Sequence, residues 1–468
     1  MNKKDRERHE MNRRQFLERL GLGSATALSL ITIGAAPLRL PRGGVTCQEA
    51  STQAGQEGTD GMTYRTQNGS GEKISLLGFG MMRLPREQEQ VNELVDYALA
   101  HGINYFDTAP VYGGGSNETA TGMALSRHPR NTYYVATKMS NQNESLWSFE
   151  KSKEMYENSF RKLQVDYIDY YLLHSVGGGG LDNLRSRFID NGLLDFLLEE
   201  RKAGRIRHLG FSYHGDVKVF DWLLDNNDKY HWDFVQIQMN YLDWRHAGGR
   251  GGRGGRRRGD ANAEYLYGRL EKLGIQCVVM EPLRGGSLAN PSDDVREQLA
   301  RARKDDTPAR WGFRWVGSHP DVLTALSGMN RMEHLKENIE TFSPLTPCTT
   351  VEGELLARIA DKMAGLPTIG CTTCAYCMPC KYGVDIPGNF AFYNKAVTEG
   401  RLPLPDSSAP DYEEKRKAYL EAYRAAIPAA ARANKCQDCG ECLKKCPQQL
   451  PIPTNMSRLV EMTRKKTD

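Results

Sequence analysis

Little in this chain of 468 residues points to nucleic acid or to a membrane. Its charges nearly cancel: 62 lysines and arginines stand against 58 aspartates and glutamates, a net charge of +4. That balance excludes the basic field with which proteins hold nucleic acid or anionic lipid, and reads as a mixed solvated surface. The longest apolar stretch, residues 20–36, is short for a membrane-spanning helix and is broken by Gly, Ser and Thr. No G-x-G-x-x-G follows the first apolar run, so a doubly wound dinucleotide-binding sheet lacks its fingerprint. No flavin motif is apparent. Cysteine is scarce outside residues 371–446, where only Cys47, Cys277 and Cys348 occur.

What is present begins at the N-terminus. Residues 11–37 read MNRRQFLERLGLGSATALSLITIGAAP. A basic pair, Arg13–Arg14, precedes an apolar stretch and a small-residue Ala35–Ala36 site. The segment 1–47 looks like a twin-arginine export signal, so the chain is expected in the periplasm or on the outer face of the cytoplasmic membrane, with the export machinery as a partner. An ordinary amphipathic helix is the bland alternative. Residues 48–62 are small and polar and read as a linker.

From residue 63 short apolar runs alternate with helical patterns. The runs are 77–82, 104–107, 133–138, 168–174, 208–212, 234–240, 276–281 and 322–328. Between them, VNELVDYALAHG (91–102) and LLDFLLEERKAG (193–204) show helical period and end in Gly, the residue that best tolerates a left-handed cap. Eight strands alternating with helices predict an α/β fold, a closed parallel (β/α)8 TIM barrel over 63–345. Residues 246–259, HAGGRGGRGGRRRG, break the pattern. They cannot bury apolar surface and read as a solvated insertion after the sixth strand.

Active sites of such barrels lie at the C-terminal ends of the strands. Asp107, Lys138 and His174 close three consecutive runs, and Tyr112 follows Asp107 by five residues. Their chemistry is coherent with carbonyl reduction. A phenol is a weak acid, with a reference pKa of about 10. A nearby ammonium such as Lys138 is expected to lower it, Asp107 to hold the lysine, and His174 to orient a substrate oxygen. Singly, each residue has an ordinary reading as a cap, a surface lysine, a buried histidine or packing. Their coincidence at matched strand ends favours a site.

Residues 73–345 resemble the aldo-keto reductase family, through FDTA at 106, GFSYH at 210, VQIQMNYLD at 235, MEPLRGG at 280 and LSGMNRMEHLKEN at 326. The resemblance implies an Asp107, Tyr112, Lys138, His174 tetrad acting on a small carbonyl or alcohol substrate, with NADP(H) or NAD(H) bound at the strands' C-terminal face. It implies that Ser212 and Gln236 contact the nicotinamide amide. The backbone of Leu283, Gly285 and Gly286 would approach the pyrophosphate, and Asn338 would face the adenine. Gly328, Met329 and His334 replace the Lys-Ser and Arg of many NADPH-preferring members, which leaves Arg331 and Lys336 as candidate donors to a 2′-phosphate. The usual Ser-Glu pair after the tyrosine reads Ser116-Asn117-Glu118.

The remaining eight cysteines form two runs. The first is Cys371-x2-Cys374-x2-Cys377-x2-Cys380 and the second Cys436-x2-Cys439-x2-Cys442-x3-Cys446, followed by Pro447. The second matches the bacterial ferredoxin spacing; the first is one residue shorter before its fourth cysteine. In two-cluster ferredoxins the fourth cysteine of each run serves the other cluster. Residues 346–468 are therefore expected to form a helical ferredoxin-like domain with two 4Fe–4S clusters. Cys371, Cys374, Cys377 and Cys446 would hold one cluster, and Cys436, Cys439, Cys442 and Cys380 the other. Zinc or disulfides are the competing readings, and three successive x2 intervals suit a cube better than one tetrahedral ion. A barrel with C-terminal clusters resembles the iron–sulfur subgroup of the aldo-keto reductases.

The expectation is an oxidoreductase exchanging hydride between nicotinamide and a carbonyl or alcohol, with clusters serving a one-electron redox partner protein. The alternative is an electron-transfer or sensing protein with a catalytically silent nucleotide-binding barrel. Hydride is a two-electron unit, whereas each cluster passes one electron, and that mismatch separates the two.

Overall fold

A computed structural model describes residues 61–247, 262–403 and 411–463. The expected export signal, all but the last two residues of the linker, and the insertion beyond Ala247 lie outside them. Among the described residues no helix is long and apolar enough to cross a membrane.

A short antiparallel hairpin, β1 (Tyr64–Thr66) and β2 (Lys73–Ser75), precedes the barrel. Sequence reading did not anticipate it. The barrel strands are β3 (Leu77–Gly80), β4 (Tyr105–Asp107), β5 (Tyr134–Met139), β6 (Ile168–Val176), β7 (Ile206–Tyr213), β8 (Phe234–Gln238), β9 (Cys277–Met280) and β10 (Val322–Ser327). They close in chain order, with β10 parallel to β3, as the eight apolar runs predicted. Strands covered on both faces read as continuous apolar runs, which is why they were legible.

Two layers of core hold the barrel. Inside it Ile74, Tyr105, Tyr170, Phe234, Val278 and Leu323 pack together, all of them fully buried. Outside it the helices lay down apolar stripes: Gln88–Ala100 buries Val91, Leu94, Val95 and Ala98, the spacing of one helix face. The hairpin seals the N-terminal end. Glu72 pairs with His208 at 2.7 Å, and Gln276 accepts the Asn68 N–H at 2.8 Å.

The tail starts with the helix Thr350–Gly365, whose Leu356, Ile359 and Ala360 join the barrel's outer core. Thr349 and Glu352 form a reciprocal cap: the Thr349 N–H donates to Glu352 at 2.7 Å and the Glu352 N–H to Thr349 at 3.3 Å. Glu352 also pairs with Arg303 and, at 2.9 Å, with Arg314. Burial works to raise this carboxyl, but bonds from Arg303, the Thr349 N–H and Arg314 outweigh it and hold it down to about 2. Its stabilising effect is thus complete above the ordinary value of 4.5 and fades as pH falls toward 2. Glu352→Gln is expected to cost about 1–2 kcal/mol at pH 7. Urea unfolding should show that gap narrowing below pH 4.5.

Beyond residue 366 the described tail is helical: Ile386–Thr398, Tyr412–Ala426 and Ile452–Thr463 surround a separate small core of Ile369, Val384, Phe390, Tyr393 and Met456. Between the cysteine runs the helix Tyr412–Ala426 packs on Ile386–Thr398 through Phe392, Tyr419 and Tyr423. Six of the eight tail cysteines border this core. All described residues fall in one compact unit, so barrel and tail share an interface.

Candidate functional site

β4 ends on Asp107, β5 carries Lys138 one residue before its end, and β6 carries His174 two residues before its end. Lys138 is wholly buried, forms an ion pair with Asp107 and donates to the Thr108 carbonyl at 2.7 Å. Tyr112 reaches the same point from a tight turn. Gly113, Gly114 and Gly115 all take positive φ (57°, 66° and 100°), a conformation open to glycine, and that turn folds Tyr112 over the barrel mouth. The Lys138 Nζ lies 5.1 Å from the Tyr112 ring centroid. The rings of Tyr112 and His174 meet edge to face at 5.9 Å.

His174 is aimed by a break in the ladder. The β6–β7 register shifts between Leu173 and Val176, and Ser175 takes a φ of 52°. The Ser140 hydroxyl lies 2.6 Å from His174 Nδ1, and buried Arg187 donates to the His174 carbonyl at 2.7 Å. Burial, with Lys138, His214 and Arg187 adding to it, holds the imidazole well below its usual value, so it is neutral near pH 7. In the tautomer in which the Ser140 hydroxyl donates to Nδ1, the other ring nitrogen carries the hydrogen and can offer it outward.

The electrostatics of Tyr112 correct one expectation. Burial raises its hydroxyl well above 10, and Tyr376, Asp107 and Glu281 push it further up. Lys138, paired with Asp107, does not outweigh these effects. Burial itself presses Asp107 up and Lys138 down, each toward neutrality, and their mutual attraction works against both shifts. Tyr112 is therefore a protonated phenol at working pH.

Ser212 and Gln236, assigned to the nicotinamide, and Asn338, assigned to the adenine, have protein partners of their own. Gln236 donates to Asp107 at 3.2 Å, Ser212 accepts the Ser175 N–H at 2.8 Å, and Asn338 donates to Ser327 at 3.0 Å. Arg331, His334 and Lys336 are exposed on the surface. Asn117 and Glu118 are interior brackets, bonded to the Met81 carbonyl and to Thr137, each at 2.7 Å. On the pyrophosphate edge, Leu283 precedes Gly285 and Gly286. A Cβ at Gly286 would meet nothing within 4 Å, whereas one at Gly285 would lie 2.3 Å from the Thr372 carbonyl oxygen. Polar side chains thus fit the amide end of a nicotinamide, and Gly286 leaves room for a phosphate. The Gly285 edge is taken by the tail.

That contact belongs to a wider cover. Arg83 donates to the Thr372 carbonyl at 2.9 Å, and Gln448 to Gln238 at 2.8 Å. Gly215 lies against Gln449, and Tyr376 stacks on Tyr112 with centroids 6.4 Å apart. The tail therefore lies across the C-terminal face of the barrel, and Tyr112, Lys138, Asp107 and His174 are all buried.

The eight tail cysteines fall in two groups. Cys371, Cys374, Cys377 and Cys446 line a cavity of about 310 Å³. Cys380, Cys436, Cys439 and Cys442 line a second of about 480 Å³, with Cys377 on the shared wall. Burial pushes the Cys371 thiol up to about 11 and Cys377 to about 12, so thiolates here need a cation beside them. Four sulfurs around a roomy cavity are the donor set of a cube. The first cavity is walled in part by Thr372 and Gln448, which bond to the barrel; at the second, Cys439 is exposed.

Sequence reasoning missed Arg83, Ser140, Arg187, Glu281 and Tyr376. Only Tyr376 carried a signal, its place between two cysteines of the first run.

Residues 76–349 match the Aldo/keto reductase family, and residues 370–451 match the 4Fe-4S dicluster domain. Among curated proteins the chain is 27% identical over 295 residues to the uncharacterized oxidoreductase YqkF of Bacillus subtilis, spanning 57% of this chain and 87% of that one. It is 24% identical over 302 residues to L-galactose dehydrogenase of Arabidopsis thaliana, spanning 60% and 88%. Among solved structures it is similar to aldo-keto reductase AKR11C1 from Bacillus halodurans in its holo form, at 25% identity and a TM-score of 0.51, covering 64% of this chain and 96% of that one.

Proposed function

The chain belongs to the aldo/keto reductase family and carries a 4Fe-4S dicluster domain, and from that premise we propose that it is a carbonyl reductase whose proton chemistry runs through Tyr112. The observation that carries this reading is the convergence of Tyr112, His174 and the Lys138–Asp107 pair at one barrel mouth. When bound, a nicotinamide cofactor supplies hydride to the carbonyl carbon. The chain's own residues do the rest. The neutral His174 ring donates a hydrogen bond that orients the carbonyl oxygen, and Tyr112 gives its proton to that oxygen as negative charge develops. Asp107 and Lys138 fix each other at the strand ends and support the phenol from below. Ser212, Gln236, Leu283, Gly285, Gly286 and Asn338 are the residues proposed to hold the cofactor, as NADP(H) or NAD(H). The cluster loop lies over Gly285, so an extended cofactor has to share or displace that edge.

The second part of the proposal is two 4Fe–4S clusters, one on Cys371, Cys374, Cys377 and Cys446 and one on Cys380, Cys436, Cys439 and Cys442. They would exchange single electrons with a partner protein. Export by the twin-arginine route to the periplasm or the outer face of the cytoplasmic membrane completes it, resting on the sequence of residues 11–37. The buried, tail-covered tetrad also favours a second reading, an electron-transfer or sensing protein whose barrel is silent.

Anaerobically purified protein is expected to hold about eight iron and eight sulfide per chain. It is also expected to quench or shift NADPH fluorescence on titration and to reduce simple aldehydes. Nicotinamide binding without turnover would favour the silent barrel; about one zinc and no iron per chain would remove the clusters.

A further inference from the structure

Tyr376 is carried between two cysteines of the first set, in the order Cys374-Ala375-Tyr376-Cys377. The loop takes an unusual path to present it: Thr373 and Ala375 both adopt left-handed backbone, with φ of 53° and 63°. Such conformations are disfavoured for a non-glycine residue, and they persist where the surroundings impose them. Here the surroundings are the barrel. Arg83 donates to the carbonyls of Thr372 and Thr373, at 2.9 and 3.4 Å, and the Thr372 backbone lies on Gly285.

The outcome is a ring placed on the candidate acid. The rings of Tyr376 and Tyr112 are stacked, 26° from parallel with centroids 6.4 Å apart. His174 stands edge-on at the other side of Tyr112. The Tyr376 ring thus covers one face of Tyr112, beside the hydroxyl that a substrate oxygen has to reach. Whatever reacts there has to displace that ring or enter beside it.

We propose that Tyr376 is a specificity-determining residue of the barrel's reaction: a side chain from the cluster domain that bounds the space over Tyr112 as a narrow slot between rings. The inference rests on the reading of Tyr112 as the acid. The slot suits a planar, conjugated carbonyl, which can lie along the rings as the phenol does, and rejects a branched one. Because the ring is borne by a cluster loop, the substrate range of the barrel is set by a residue from outside it.

The test uses the iron-loaded full chain with NADPH, and compares benzaldehyde with the branched pivalaldehyde. Wild type is expected to favour benzaldehyde in kcat/KM by at least about tenfold, the discrimination a steric pocket supplies. Tyr376→Ala should reduce that ratio to within about threefold, chiefly through KM for pivalaldehyde, and Tyr376→Phe, which keeps the ring, should preserve it. Iron and sulfide content and the visible spectrum check that both variants fold. p-Cresol, the lost side chain as a free molecule, should bind Tyr376→Ala but not wild type by calorimetry, and should restore the wild-type ratio. An unchanged ratio in Tyr376→Ala would overturn the proposal. Wild-type protein that turns over neither aldehyde would sink the Tyr112 reading and the specificity role with it. p-Cresol binding to Tyr376→Ala would still separate that failure from a misplaced ring.

Discussion

Tyr112→Phe should lower kcat for aldehyde reduction by about 10²–10⁴-fold, the range a positioned proton donor contributes. The ring and its contacts with His174, Lys138 and Tyr376 survive the change, because all three are made by the aromatic face or edge. NADPH affinity should stay within about threefold, since the hydroxyl serves the carbonyl oxygen. Burial holds Tyr112 protonated far above neutrality and His174 neutral well below it. The reduction rate of wild type should therefore be flat from about pH 6 to 9, with no limb from either group. Steady-state kinetics on iron-loaded protein checks both statements. Full activity in the phenylalanine variant would remove Tyr112 from the chemistry.

The second large effect is expected from Cys446→Ala. This cysteine shares its cavity with Cys371, Cys374 and Cys377, although it lies at the far end of the tail. A 4Fe–4S cube is held by four cysteine sulfurs, and this change removes one of them. Iron is expected to fall from about eight to about four per chain, with loss of one of two reduced-cluster signals in electron paramagnetic resonance. The damage should extend into the barrel. Gln448 and Gln449, two and three residues on, touch Gln238 and Gly215. Metal binding and folding are coupled in small domains with little core of their own, and the tail core is small. Hydrogen exchange at the loops carrying Gly215 and Gly285 should accelerate. Cys277→Ala, in β9 far from the tail's cysteines in sequence, should leave iron unchanged. Equal iron in Cys446→Ala and wild type would reassign the fourth ligand.

Much of the barrel could be read in the chain because its strands bury both faces and so appear as unbroken apolar runs. Asp107, Lys138 and His174 stood out as polar residues where such runs stop. The hairpin was missed because its three-residue strands mix Tyr, Arg, Lys and Thr and carry no period. The register shift beside His174 leaves no trace in residue order. Arg83 and Thr372 are 289 positions apart, and no local pattern reports such a meeting. The same blindness explains the wrong sign for Tyr112. With the tail left out of the reckoning, an ammonium beside a phenol predicts a stronger acid. With the tail in place, loss of water decides the matter, and the phenol becomes weaker.

The cover over the mouth bears on how the molecule is made. Ribosomes deliver the barrel first, and domains generally fold in the order they emerge. Through most of its synthesis the barrel therefore stands with an uncovered cup, open to small molecules of its surroundings. Its cover cannot set until residue 446 has appeared and, on the proposed reading, iron has been inserted, because the sulfurs of the first set come from both ends of the tail. Whatever the cup is to hold has its easiest entry during that interval, before the final cysteine draws the tail shut.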